Sequence, residues 1–377
     1  MKKGARGAGR KTQKGKGSAS LHAVILAGGA GERFWPASRK HCPKPLMKVV
    51  GGKSLLAATL ERAHKFAGEG CVWIVCGKEH AAAIRAESGL PASRVLVEPR
   101  RRNTAMAVAW AAQRIEAEDG NAVLAILSAD HHIPNGRAFA SAIRRCGRSA
   151  ASAGALVTLG VEPTRPDTGY GYIQRGGAAG PEHSGLYRVR RFVEKPDARQ
   201  AQRYLASGQY LWNAGVFIFA ASTMLAEIEN CAPDLHRALA PLREQPRGRN
   251  AKAVDIAYRR APSVPIDVAV MERSQRVWTM PVNFAWSDVG TWSSLADELG
   301  VGGAGREGNR VLAGEVLFED SSSNLVWGGD RLIGLLGVEG LAIIDTEDAL
   351  LVARLDRSHD LRKMVAVLGK KGRRDLT

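Results

Sequence analysis

The stretch at 26–46, LAGGAGERFWPASRKHCPKPL, follows an apolar run of strand length, HAVILA at 22–27, and opens on Gly28, Gly29 and Gly31. Such a run suits a buried strand, and the glycines place a loop at its carboxyl end. Two familiar phosphate-binding loops do not fit. A dinucleotide fingerprint needs a third glycine where Phe34 stands in GAGERF (29–34). GKS at 52–54 could end a Walker A loop, but Met47 occupies its first glycine position. What remains is a glycine turn followed by Arg33 and by Lys44 between Pro43 and Pro45. Glycines let backbone N–H groups approach an anion, while Arg and Lys supply a fixed fork and a mobile point charge. A merely solvated turn would not need the stiffness of Pro36, Pro43 and Pro45.

Strand-like and helix-like patterns alternate outward from this loop. GGKSLLAATLERA (51–63) reads as a turn, a Ser54 N-cap and a helix; CVWIVCG (71–77) and RVLVEP (94–99) read as strands. TAMAVAWAAQRIEA (104–117) reads as a helix and AVLAILSAD (122–130) as another strand. The alternation predicts an α/β fold with a largely parallel sheet. From about Asn309 the pattern becomes short strands separated by Gly, Asp and Ser, an all-β unit with no repeat of fixed period. A last amphipathic helix is predicted at 359–368, with Leu361, Met364, Val365 and Leu368 on one face.

Composition narrows the classes. Hydrophobic residues make up 45% and charged residues 24%, as in an ordinary globular chain, and the densest apolar runs, AVLAIL and AGVFIFA, are strand-sized. A membrane role is therefore not expected, and the predicted compartment is the cytoplasm. The five cysteines include no C-x-x-C pair and read as free thiols; Cys42 has no base beside it that would make it a nucleophile. Of the +17 net charge, seven basic residues and no acid fall within the first twenty positions. Residues 1–20 read as a disordered basic tail, with attachment to nucleic acid or acidic lipid as the alternative. The tail has no aromatic residue on which a base could stack, which argues against nucleic acid.

Two carboxylates stand out. Asp130 ends a buried strand in LSADHH, at the sheet edge where α/β folds bind ligands, and Asp288 lies in FAWSDVGTW (284–292). Together they suit Mg2+, which takes a few carboxylates plus phosphate oxygens; singly, each would read as a turn or helix cap. Zinc at His131 and His132 is not expected, since adjacent histidines on a strand end point apart and no third ligand motif lies nearby. Glu194-Lys195-Pro196 and Trp212-Asn213-Ala214-Gly215 are polar groups among apolar strands. Their spacing leaves open whether they pair with each other or bind a hydroxylated phosphate ester.

GGAGERFWPASR with PKPL, EPRRRNTA, SADHHI, TGYGYI, FVEKP, WNAGVFIF, PIDVAVME and WSDVGTW stand in that order. In this, the chain from about His22 onward resembles the mannose-1-phosphate guanylyltransferases, or GDP-mannose pyrophosphorylases. The resemblance implies a Rossmann-like nucleotidyltransferase domain with a mixed, mostly parallel sheet over 21–300. It also implies a small C-terminal β-rich, left-handed β-helix-like unit with a terminal helix over 301–377. The implied reaction joins GTP and mannose 1-phosphate into GDP-mannose and pyrophosphate. The attacking phosphate oxygen is already ionised near neutral pH, so alignment and charge neutralisation suffice without a Ser, Cys or His nucleophile.

By the same resemblance, Leu26, Gly28, Gly29 and Gly31 wrap the nucleotide, and Arg33 and Lys44 neutralise its phosphates as catalytic residues. Glu98, Arg102, Asn103 and Thr104 lie near the base or ribose. Asp130 and Asp288 hold Mg2+, Glu194 and Lys195 take sugar hydroxyls and phosphate, and Gly169 and Asn213 take the sugar. The resemblance further implies a homodimer, with the β unit in the subunit contact, and a monofunctional enzyme, because no cupin-like isomerase domain follows. The basic tail and Met106, where a proline is common, depart from the family pattern. Alternatives are a different hexose 1-phosphate or NTP, or a non-catalytic regulatory homologue.

Overall fold

The computed structural model describes residues 19–29, 31–40, 42–49, 52–244, 251–302 and 308–376. Nearly all of the basic tail lies outside the described residues. Four strands, β1 (Leu21–Ala27), β2 (Val72–Gly77), β3 (Val95–Glu98) and β4 (Val123–Ser128), run parallel in the order β3-β2-β1-β4. The same sheet continues through β5 (Leu156–Val161), β6 (Tyr172–Ala178), β7 (Tyr187–Val193), β8 (Tyr210–Ala220) and β9 (Val277–Val282), in the order β8-β5-β9-β7-β6. β8 is antiparallel to β4 and β5, and β9 is parallel to β5, so the sheet is mixed.

The strands read as continuous apolar runs because helices cover both faces; all six residues of β2 are buried. Side chains alternate across the sheet, as a period of two requires. Val24 of β1 packs with Met106, Val108 and Ile115 of the helix Asn103–Glu118, while Ile25 faces Leu56, Phe139 and Ile143 on the other side. The Ser54 hydroxyl accepts from Ala57 N at 3.0 Å and starts the helix Leu55–His64, as the sequence predicts. No helix among the described residues is long and apolar enough to cross a membrane.

The C-terminal unit is a short β-helix. β10 (Arg310–Ala313), β12 (Leu325–Trp327) and β14 (Leu341–Asp345) stack in parallel; β11 (Val316–Glu319) pairs with β13 (Ile333–Leu336); β15 (Leu350–Arg354) closes the stack antiparallel to β14. Asn324, fully buried, donates through Nδ2 to Asn309 Oδ1 at 3.0 Å and accepts through Oδ1 from Leu341 N at 2.9 Å, so side-chain amides tie successive coils. The repeat that this stacking represents has no fixed period: Arg310 pairs with Leu325, and Leu325 with Ala342, across coils of unequal length. The last helix spans Leu361–Lys370. Its Leu361 is buried and Val365 and Leu368 pack on the core, but Met364 is exposed, so the apolar face is narrower than predicted.

One core joins the glycine loop to this unit. Phe34 and Trp35 are buried with Trp292, Leu325, Ile344 and Leu361, and the Phe34 and Trp292 rings meet edge to face, 4.9 Å apart. Arg39 is buried and donates from Nε to Pro36 O at 2.9 Å and from Nη2 to Thr346 Oγ1 at 3.2 Å, while Nη1 pairs with Asp348. The loop between Gly31 and Lys44 is thus held from behind by the β unit.

Candidate active site

The loop is shaped at its start by Gly31, whose φ of +67° favours glycine. A Cβ there would come within 2.7 Å of Lys44 Cβ. That close approach brings the two ends of the loop together and points Lys44 inward. Lys44 is buried, with its ammonium 5.3 Å from the centre of the Phe34 ring. Nζ donates to Asp130 Oδ2 at 2.6 Å and to Asp288 O at 3.0 Å.

Asp130 and Asp288 are far apart in sequence and meet because a single antiparallel bridge links their neighbours. His132 N donates to Ser287 O at 2.9 Å, and Ser287 N donates to His132 O at 3.0 Å. Burial pushes the Asp130 carboxyl up, but Lys44, His131 and the Ser128 hydroxyl outweigh it and hold the group at about 2. Asp288 Oδ1 accepts from the Tyr170 hydroxyl at 3.0 Å. Burial, then the Asp288 charge, pushes the Tyr170 phenol up, so Tyr170 stays a donor. Its ring packs edge to face between Trp212 and Trp286. The sequence offered Tyr170 only within the TGYGYI motif, quoted for Gly169.

Arg33, Gly169, Tyr170, Lys195, Asp288 and Arg362 line one open cavity of about 690 Å³. Arg33 is held below its ordinary value by burial first and the Arg362 charge second, with Asp288 opposing. Gly169 N donates to Asp167 Oδ1 at 2.8 Å, which fixes the turn before β6. Lys195 Nζ pairs with Glu194 Oε1 at 2.9 Å, so these two are paired in the structure as it stands.

Asn213 lies behind that pair and is buried. Its Oδ1 accepts from Thr158 Oγ1 at 2.9 Å and Gly215 N at 3.1 Å, and its Nδ2 donates to Asp267 Oδ1 at 2.9 Å. Burial and the Glu194 charge push Asp267 up to about 7. Asp267 belongs to the PIDVAVME motif, to which the sequence reading gave no role; its position beside Asn213 became visible only in the fold.

The residues of EPRRRNTA divide. Glu98, at the end of β3, lies against the loop: a Cβ on Gly28 would stand 3.6 Å from Glu98 Oε2. Burial pushes its carboxyl up to about 7, against the Tyr258 hydroxyl that faces it. Gly28 and Gly29 are exposed at the same edge, and Leu26 O accepts from Ala129 N at 3.0 Å, aligning the ends of β1 and β4. Arg102 Nε instead donates to Tyr258 O at 2.7 Å, and the Thr104 hydroxyl accepts from Ile266 N at 2.9 Å. Asn103, at φ +60°, caps its neighbour Thr104 N at 2.9 Å. Arg102 and Thr104 therefore hold the helix start against the 258–266 segment, and none of the three residues lines the cavity.

A glycine loop, free and paired cations, and two carboxylates gather at the carboxyl edge of a mixed α/β sheet, and similarity to known proteins gives the class of enzyme. Residues 22–299 match the family described as nucleotidyl transferase, and 314–368 match a MannoseP isomerase/GMP-like beta-helix domain. The chain belongs to the nucleotidyl transferase family and is an enzyme of that class. Its relatives narrow the class. It is 38% identical to the mannose-1-phosphate guanylyltransferase RfbM of Salmonella typhimurium, over 93% of this chain and 73% of that one. It is 39% identical to the alginate biosynthesis protein AlgA of Pseudomonas aeruginosa, over 93% and 72%. A solved structure from Thermus thermophilus, described as a mannose-1-phosphate geranyltransferase, superposes with a TM-score of 0.84 at 33% identity, covering 93% of this chain and 99% of that one.

Proposed function

We propose that the enzyme transfers GMP from GTP to mannose 1-phosphate, releasing pyrophosphate and forming GDP-mannose. The observation that carries this reading is the meeting of Lys44, Asp130 and Asp288 beside the cavity that Arg33 and Lys195 share. A sugar-phosphate oxygen attacks the α-phosphorus as the bond to the β-phosphate oxygen breaks, and the electron pair leaves with pyrophosphate. Gly28, Gly29 and Gly31 present backbone N–H groups to the phosphates, Arg33 and Lys44 neutralise the leaving charge, and Lys195 leaves Glu194 for the sugar phosphate. Glu194 then accepts from sugar hydroxyls, and its backbone N–H, donating to Glu272 Oε1 at 2.8 Å, helps hold it in place.

The donors at Asp130 and Asp288 fit Mg2+. They are hard oxygens, and no cluster of three or more His, Cys, Asp or Glu that could hold a metal occurs among the described residues. Remaining coordination positions would thus fall to phosphate and water, the mode Mg2+ favours. When bound, Mg2+ supplies charge neutralisation across the nucleotide and sugar phosphates. Tyr170 orients Asp288 for that task, and Lys44 balances Asp130 in the resting protein. Exposed Leu317, Leu336, Leu350 and Val352 on the β unit fit a subunit contact in a homodimer.

A pyrophosphate-release screen over four NTPs and several sugar 1-phosphates tests the reading. Preference for GTP with mannose 1-phosphate is expected; preference for another pair reassigns the substrate, and no release with any pair favours a regulatory homologue.

Glu98 gives a second test. Guanine presents N1–H and N2–H as adjacent donors, which an ionised carboxylate accepts and a protonated one does not. Because burial pushes the Glu98 carboxyl up to about 7, the ionised binding form dominates well above that pH and is lost below it. KM for GTP is expected to rise about tenfold from pH 8 to pH 6, with that slope absent from Glu98→Gln. An unchanged slope in the variant removes Glu98 from the base site.

A further inference from the structure

Arg362 stands in the first turn of the helix Leu361–Lys370, which packs on the turn Glu32–Phe34 of the glycine loop. It lines the cavity it shares with Arg33 and Asp288, and also an adjoining recess of about 320 Å³ bounded by Lys40, His80 and Arg101. Its neighbours Arg354, Arg357 and Lys363 are paired, the first with Asp356 and the other two with Asp360. The guanidinium of Arg362, like that of Arg33, has no hydrogen-bond or ion-pair partner among the described residues. Two guanidiniums without a hydrogen-bond or ion-pair partner line one cavity, close enough for one to disfavour the charge of the other, and beside the carboxylates of Asp167, Asp288, Asp297 and Asp356 they supply two forks that suit an anion.

We propose that Arg362 is a second guanidinium for the leaving pyrophosphate, so that the C-terminal unit completes the active site. The assignment rests on the nucleotidyl-transfer reading above. Lys195 and Gly169, the residues proposed for the sugar, line only the first cavity, whereas Arg362 lines both it and the recess of Lys40 and Arg101. On that reading the β- and γ-phosphates of a triphosphate held by the loop would reach Arg33 and Arg362 together. Two planar forks match the oxygens of pyrophosphate better than those of a single phosphate. The anchor that fixes Arg362 is the shared core of Phe34, Trp292 and Leu361.

The test is Arg362→Gln in the full chain, with Arg362→Lys and Arg357→Gln beside it. Arg362 is exposed, so its replacement leaves the fold and Tm unchanged. In the reverse reaction, KM for pyrophosphate is expected to rise about tenfold or more, with KM for GDP-mannose within about twofold. Arg362→Lys recovers part of the loss, and Arg357→Gln leaves the value unchanged. An unchanged KM for pyrophosphate overturns the proposal, as does a rise confined to mannose 1-phosphate. Calorimetric titration with inorganic pyrophosphate needs no turnover. Weakened binding to Arg362→Gln would support the site even if the substrate screen selected a different sugar or base, and equal binding to both proteins would refute it.

Discussion

Asp288→Asn is expected to lower kcat about a thousandfold or more while nucleotide binding stays measurable. Asparagine keeps the shape of the side chain and an oxygen that accepts from the Tyr170 hydroxyl, now at 3.0 Å, and the Asp288 carbonyl still accepts from Lys44. The His132–Ser287 bridge uses backbone atoms alone, so the local fold survives. What is lost is one of two negative charges at the proposed metal position. Metal-assisted charge stabilisation is worth several kcal/mol in a transition state, and about 1.36 kcal/mol corresponds to a factor of ten in rate. The proposed base site lies at Glu98 and Gly28, which are not among the groups Asp288 touches, so binding is expected to persist. Single-turnover kinetics with a nucleotide-binding titration separates the two effects. Turnover within about threefold of the parent protein would remove Asp288 from the chemistry.

The pair of aspartates shows what sequence can and cannot disclose. Each was legible as a carboxylate at a strand end, because an apolar run stops at Ser128 and an aromatic turn surrounds Asp288. Their meeting depends on one isolated bridge between distant segments, which no local pattern encodes. The alternation of strands and helices was legible for the same reason, since each buried strand is an uninterrupted apolar run. From the residues alone the β-helix reads only as short strands, its β-helix character coming from the family resemblance, because unequal coil lengths hide the Asn309 and Asn324 repeat. Arg39 lacked a role in the sequence because its partners, Thr346 and Asp348, lie in that unit. Arg362 was invisible, one exposed arginine among several, until the helix was set against the loop. Residues whose role follows from their own neighbours in sequence could be read; those defined by a partner brought in by the β unit could not.

Lys44→Met is expected to damage both rate and stability, and the two losses have separable causes. Methionine keeps the length and apolar stem, so packing under Phe34 is retained and the change removes mainly the charge. Asp130 then loses the ammonium at 2.6 Å, and the Asp288 carbonyl loses its donor at 3.0 Å. Breaking a fully buried ion pair costs about 3–5 kcal/mol. The Asp130 side chain is 27% exposed and Lys44 only 9%, so solvent screens part of the loss and about 1–3 kcal/mol is the expected destabilisation. The rate falls for a different reason. Without Lys44, charge developing on the leaving phosphates meets one cation fewer, at a cost of about a hundred- to a thousandfold in kcat. Denaturant unfolding checks the first effect, and kcat under saturating substrates checks the second. The contrast with Asp130→Asn discriminates between them. That variant also breaks the ion pair but leaves Lys44 without the carboxylate that now engages it. If Lys44 acted only by holding Asp130, both variants would fail at the same step. On the proposed role, in which Lys44 neutralises the leaving phosphates, Lys44→Met raises KM for pyrophosphate in the reverse reaction and Asp130→Asn does not. Equal pyrophosphate KM values in the two variants would reduce Lys44 to a structural counter-charge.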